Sequence, residues 1–131
     1  MPGVCDGLKV LDFTSGMPGA LCSMVLADHG ADVVSVRKPG ADSPETPPWD
    51  YLWNRGKRAT LIDLKSSAGL ENARELASSA DVILESFRPG VAERLGIGYE
   101  AIRAGNPRAV YCSISGFGQT GPHAGIKGYD G

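Results

Sequence analysis

Short apolar runs alternate along the chain with stretches whose apolar residues recur at helical spacing. Leu8 to Thr14 (LKVLDFT) is rich in strand-favouring residues and is closed by Ser15-Gly16, which predicts a first strand. Pro18 suits the opening turn of a helix, where the N–H it lacks would have no partner anyway. Leu21, Met24, Val25 and Ala27 follow until Gly30 ends the run. Ala31 to Arg37 (ADVVSVR) predicts a second strand and Ala59 to Leu64 (ATLIDL) a third, separated by a polar, proline-containing loop from Lys38 to Lys57. Ser66 or Ser67 is placed to cap a helix whose Leu70, Ala73, Leu76, Ala77 and Ala80 share one small apolar face. Asp81 to Phe87 (DVILESF) predicts a fourth strand, Val91 to Leu95 a helical turn, and Tyr99 to Ala104 a helix closed by Gly105. Ala109 to Ser115 (AVYCSIS) predicts a fifth strand, and the glycine-rich stretch from Gly116 to Gly131 reads as loop.

This succession predicts an α/β fold: a Rossmann-like, mostly parallel sheet with helices on both faces, in a single domain over residues 1–131. A chain of 131 residues is long enough for a real core. In such a sheet ligands bind at the carboxyl ends of the strands. Ser15 to Gly19, Arg37 to Gly40, Leu64-Lys65, Phe87 to Gly90 and Ser115 to Gly118 all fall there.

Charge narrows the partners. The net charge of -2 supplies no overall field for nucleic acid, so any anion site is local. Between Arg37 and Lys65 six basic residues (Arg37, Lys38, Arg55, Lys57, Arg58, Lys65) face four acids, a composition that fits either a solvated mixed surface or an anion site. The loop holding three of them is longer than a connector needs to be, which makes it a candidate binding segment. Cys5, Cys22 and Cys112 are odd in number and far apart, without metal-ligand spacing, so neither a disulfide framework nor a zinc site is expected and a reducing cytoplasm fits best. No apolar run approaches the length of a membrane span.

The candidate chemistry is thinner. Gly16-Met17-Pro18-Gly19 lacks the third glycine of a dinucleotide loop and the Gly-Lys of a P-loop, which leaves nicotinamide and ATP sites unsupported. Trp49, Tyr51 and Trp53 alternate through the proline-containing loop, as a packed strand or as the aromatic lining of an apolar pocket. His29 and His123 have no evident partner for a triad and read as surface residues. Asp63, Glu85 and Asp130 lie in or after strands, which admits a buried carboxylate without identifying a base.

The order of short motifs carries more. Leu11-Asp12-Phe13-Thr14, Leu26-Ala27-Asp28, Gly30-Ala31-Asp32-Val33-Val34, Asn54-Arg55-Gly56-Lys57-Arg58 and Asp63-Leu64-Lys65 are followed by Glu85-Ser86-Phe87-Arg88-Pro89-Gly90 and Glu93-Arg94-Leu95-Gly96. Asn106-Pro107-Arg108 and the run Ser113 to Pro122 (SISGFGQTGP) complete the series. In kind, order and spacing this resembles the amino-terminal part of the family III CoA transferases, the group that includes formyl-CoA transferase, carnitine CoA transferase and α-methylacyl-CoA racemase. The resemblance runs from residue 8 to residue 131.

The resemblance implies coenzyme A or acyl-CoA as substrate, with no permanently bound cofactor and no metal. Its CoA contacts fall on Met17, Pro18, Lys38, Ile62 to Lys65, Ser86, Phe87, Arg88, Arg94 and Ile126 to Tyr129. Lys38, Lys65, Arg88 and Arg94 would meet the phosphates, with Lys127 in reach of the carrier. Met17, Ile62, Leu64 and Phe87 would wall adenine and pantetheine, and Trp49 and Tyr51 match a loop that closes over the acyl group. Two departures matter. Met17 stands where formyl-CoA transferase has a glutamine, and Tyr129 where racemases have an acid/base histidine, which favours transferase over racemase. The nucleophilic aspartate of the family falls beyond residue 131, and Asp130 matches the neighbour of Tyr129, so a truncated binding module without turnover is the rival reading. The resemblance likewise implies that the family's second domain and carboxyl-terminal return are not among these residues. An interlocked homodimer with acyl-CoA and a carboxylic acid as ligands is the implied assembly.

Overall fold

The computed structural model describes residues 1–41 and 46–128. Five strands, β1 (Lys9–Asp12), β2 (Asp32–Arg37), β3 (Arg58–Leu61), β4 (Val82–Glu85) and β5 (Val110–Ser113), pair in the order β3-β2-β1-β4-β5, and every pairing is parallel. This is the doubly wound arrangement, in which the chain moves outward from β1 to β3, returns to β4 beside β1, and moves outward again. The predicted strands are all present; β1, β3, β4 and β5 end two or three residues early, because their last residues leave the ladder to build loops, whereas β2 runs to Arg37 as expected and β3 starts one residue earlier, at Arg58.

The strand pleat divides the core in two. Val10, Val33 and Leu84 point to one face, where Leu26 and Ala27 of α1 (Met17–Asp28) cover them. Leu11, Val36 and Ile83 point to the other, where Ala73 and Ala77 of α3 (Ser67–Ser78), Ala92 of α4 (Val91–Leu95) and Ile102 of α5 (Tyr99–Gly105) meet them. Both faces of β1 and β4 are thereby buried, which explains why their apolar residues, Val10-Leu11 and Val82 to Leu84, are consecutive rather than alternating. Ile83 and Ile97 are fully buried, each contributing roughly 1.5–3 kcal/mol of transfer free energy. The alanine face of α3 lets that helix lie close on the sheet. Asn106 fixes its end, donating from Nδ2 to the carbonyls of Ala77 and Ala80 at 2.9 and 2.8 Å.

One element departs from expectation. The long segment after β2 is not loop throughout: α2 (Pro48–Trp53) lies within it and packs against α1. Pro48 occupies the first turn, where its missing N–H is harmless, and so the proline that signals a loop here opens a helix. Ser66 caps α3, its hydroxyl accepting from Gly69 N at 3.0 Å. Among the described residues no helix is long and apolar enough to cross a membrane.

Candidate functional site

A cleft of about 670 Å³ opens at the carboxyl ends of β1, β2 and β3. The loop after β1 supplies Phe13 to Gly16 and α1 supplies Ala20; β2 and its continuation supply Ser35 to Lys38. Pro47, Asp50 and Asn54 come from α2 and its flanks, Ile62 to Lys65 from the turn after β3, and Phe87 and Leu95 close the far side. The walls are mixed. Phe13, Val36 and Ile62 are buried apolar floor, whereas Arg37, Lys38 and Lys65 bring positive charge to the rim.

Local geometry sets each group. Gly16 precedes α1 with φ of 77°, a left-handed backbone that favours glycine, and α1 starts there without a side-chain cap. The loop after β1 is tied to the loop after β4: Ser86 Oγ accepts from Ser15 N at 2.9 Å and donates to Ser15 O at 3.0 Å. Lys65 is held in its turn by its backbone N–H, which donates to Asp63 Oδ1 at 3.0 Å. Arg37 pairs with Asp50 of α2 at 3.6 Å across the cleft wall.

Beneath the cleft lies a buried pair of charges. Lys57 Nζ is 3.6 Å from Asp12 Oδ2, and the two side chains are only 1% and 2% exposed. The ammonium donates to Ala20 O at 2.9 Å and to Asn54 Oδ1 at 3.2 Å. Asp12 accepts from Thr14 N at 2.8 Å, from Thr14 Oγ1 at 2.6 Å and from Ser23 Oγ. Burial pushes the Lys57 ammonium below its ordinary pKa, and the facing Asp12 carboxylate works against that shift. On the opposite sheet face, burial and then Glu85 and Glu93 push the Tyr111 phenol upward, while its hydroxyl donates to Ile97 O at 3.0 Å.

Of the residues singled out from sequence, Lys38, Ile62, Leu64, Lys65 and Phe87 line the cleft. Met17 and Pro18 lie exposed at its edge as the first residues of α1, and Ser86 acts through Ser15. Arg88 and Arg94 are not among the cleft-lining residues; Arg88 Nη2 donates to Gly125 O at 2.8 Å and so braces the glycine-rich tail. Lys127 lies exposed in that tail, and Tyr129 and Asp130 fall outside the described residues. Trp49 and Tyr51 stand 55% and 64% exposed on α2, with Pro47, Asp50 and Asn54 as the cleft-lining residues of that segment. Of the strand carboxylates, Glu85 is buried and accepts from Phe87 N at 2.8 Å, while Asp63 is exposed. Asn54 and Asp50 were missed as wall residues because the helix that presents them was read as loop. The signal for Asp12 was present: a carboxylate inside an otherwise apolar strand.

The profile of CoA-transferase family III matches residues 5–131. The succinate–glutarate CoA-transferase of Agrobacterium fabrum is 38% identical over 141 residues, 95% of this chain and 35% of that protein. Human alpha-methylacyl-CoA racemase is 41% identical over 125 residues, 95% of this chain and 31% of that protein. A CAIB/BAIF family protein from Brucella suis superposes with a TM-score of 0.92 at 37% identity, covering 99% of this chain and 38% of that one. The Rv3272 protein of Mycobacterium tuberculosis gives 0.90 at 38% identity, covering 98% of this chain and 37% of that one. A short-chain dehydrogenase/reductase family protein, at 18% identity and a TM-score of 0.55, shares the fold alone. The chain spans about a third of the length of its curated relatives. With the profile matched over almost its entire length, and with relatives well above 30% identity in both sequence and solved structure, this chain belongs to CoA-transferase family III.

Proposed function

We propose that this chain is the CoA-binding amino-terminal domain of an acyl-CoA transferase that exchanges CoA between carboxylic acids. The observation that carries the reading is the cleft at the ends of β1, β2 and β3, where Arg37, Lys38 and Lys65 rim an apolar floor that includes Ile62, Leu64 and Phe87. CoA asks for that combination: a 3'-phosphate and a pyrophosphate for the cations, and adenine and pantetheine for the apolar surface. The uncapped amino end of α1 at the cleft rim adds backbone N–H groups and a favourable dipole for a phosphate. Arg88, Arg94 and Lys127 extend the same contact set toward the tail. Trp49 and Tyr51, exposed on α2, belong to the segment that closes over the acyl group, and the family resemblance gives Tyr129 its acyl-site role.

In this reading the chemistry is completed by an aspartate beyond Gly131. Its carboxylate attacks the thioester carbonyl and expels the CoA thiolate, giving a mixed anhydride. The thiolate then attacks the aspartyl carbonyl, releasing the donor acid and leaving an aspartyl-CoA thioester. The acceptor carboxylate repeats the two steps in reverse and leaves as its CoA ester. The complete protein is an interlocked homodimer of the cytoplasm, and CoA passes through it as substrate.

Calorimetric titration tests the binding half. Lys38→Ala and Lys65→Ala are each expected to weaken CoA by about twofold to fivefold, since exposed cations contribute about 1 kcal/mol or less, and the loss shrinks as salt rises. A parent chain that takes up no CoA, or variants that bind like the parent, would overturn the assignment. The racemase branch, to which the 41% identity with the human enzyme points equally, is separated by incubating the protein that carries that aspartate in deuterium oxide. Deuterium appearing at the α-carbon of a branched acyl-CoA supports racemase; CoA appearing on an added acid supports transferase.

A further inference from the structure

Three residues of the cleft wall come from three different elements: Thr14 from the loop after β1, Ala20 from α1, and Asn54 from the end of α2. Each is one hydrogen bond from the buried Lys57 and Asp12, which themselves are not among the cleft-lining residues. Thr14 donates twice to Asp12 Oδ1, while Ala20 O and Asn54 Oδ1 accept from Lys57 Nζ. We infer that the Lys57–Asp12 pair is the positioning element of this site, setting the distance between the three walls that receive the carrier.

A purely stabilising role fits the geometry less well. Taking both charges out of water is expensive, and apolar residues of similar volume commonly hold a fold as well or better, so a buried pair is weak evidence for stability. What the pair supplies is direction. Lys57 enters from the start of β3 and reaches under both helices with its three donors. The arrangement matters most for α2, which has six residues, no side-chain cap and no buried residue. A helix that short does not hold itself together in water. Among its other ties are the long Arg37–Asp50 contact and, from its carboxyl-terminal flank, Arg55, which pairs with Asp28 and donates to Met24 Sδ at 2.8 Å; such partly exposed contacts fix little. Asn54 is the link: its Nδ2 donates to Asp50 O at 2.8 Å, and its Oδ1 is held by Lys57.

The sequence provides a reporter, because its two tryptophans, Trp49 and Trp53, both lie in α2. Lys57→Met keeps the length of the side chain and removes its donors, and Ile102→Val, a trimmed core residue on α5, serves as a control for lost stability. Below the unfolding transition, acrylamide quenching of tryptophan is expected to rise about twofold in Lys57→Met and stay at the parent value in the control. The ligand arm rests on coenzyme A as the occupant of the cleft: its affinity is expected to fall about tenfold in Lys57→Met, the signature of lost preorganisation, and to hold in Ile102→Val.

Should Lys57→Met fail to fold, the double variant Asp12→Asn/Lys57→Met removes both charges together and is measured in its place, with the same expectation. Parent-like quenching and parent-like CoA affinity in either variant overturn the inference, as does a loss no larger than that of an equally destabilised Ile102→Val. Increased quenching in a protein whose parent binds no CoA overturns the CoA reading and leaves the positioning of α2 standing.

Discussion

At the scale of single residues, close approach and buried charge decide most. Gly19 lies in α1 with ordinary helical backbone, where alanine usually stabilises by about 0.4–1 kcal/mol. Here a Cβ would stand 2.2 Å from Thr14 Cβ, and Thr14 cannot retreat because Asp12 holds both its N–H and its hydroxyl. The overlap costs roughly 1–3 kcal/mol, so Gly19→Ala is expected to lower the melting temperature. Gly105, with nothing within 4 Å of its would-be Cβ, is expected to tolerate alanine without loss, and thermal melts of the pair read the contrast. Lys57 yields a pH prediction. Its folded pKa is lowered, so the folded state binds fewer protons than the unfolded chain. Its contribution is complete above the unfolded value and is lost as pH falls through the folded one. Raising pH toward the ordinary 10.5 is therefore expected to stabilise the parent relative to Lys57→Met. Cys22 and Tyr111, both shifted upward chiefly by burial, work in the opposite sense; comparing the two proteins cancels Tyr111, whereas Cys22, held down in part by Lys57, rises further in Lys57→Met and adds to the same difference. Chemical denaturation between neutral pH and pH 10 checks it, and a difference that is flat or falls with pH would contradict the assigned shift.

At the scale of elements, the turn after β3 joins stability to the site. Ser66 Oγ accepts from Gly69 N at 3.0 Å and donates to Asp63 O at 2.9 Å, bracketing Lys65 between a cap and a carbonyl. Ser66→Ala is expected to cost about 1 kcal/mol of stability by denaturant titration, the usual loss for such a cap. Elements of this kind were legible in the sequence because one physical signal dominated each. The β1 and β4 segments held consecutive apolar residues, and α3 combined a capping serine with an alanine face. The segment at α2 was not legible. Its aromatics alternate as in a strand, Pro47-Pro48 reads as a break, and the helix exists through its ties to α1 and Lys57, which lie far away in sequence. The same distance hid part of the site: the cations after β2 and β3 stood out by charge, whereas Asn54 and Ala20 enter the cleft wall only once the sheet is assembled. Strand order was accessible only as a class, since local periodicity does not say that β4 returns beside β1.

At the scale of the whole molecule, the cleft is where the outward and returning halves of the fold meet. Its walls come from the ends of β1, β2 and β3 and, through Phe87, from the loop after β4. The bond between Ser15 and Ser86 couples those halves at the point where the direction of winding reverses. No single element contains the site, so unfolding any one of them abolishes it, and a ligand of the cleft must stabilise all of them together. A ligand that binds only the folded state at 100 times its dissociation constant adds about 2.7 kcal/mol. For a chain of 131 residues that corresponds to a rise in melting temperature of roughly 10 °C, from an unfolding entropy near 2 cal/mol/K per residue. Saturating CoA is expected to produce such a rise, and Lys38→Ala/Lys65→Ala to lose most of it. NAD is expected to produce none, because the first loop keeps Gly16 and Gly19 but lacks the third glycine of the dinucleotide fingerprint. Differential scanning calorimetry with the two ligands decides between them: equal shifts would make the cleft a general nucleotide site, and a shift with NAD alone would overturn the assignment of CoA to it.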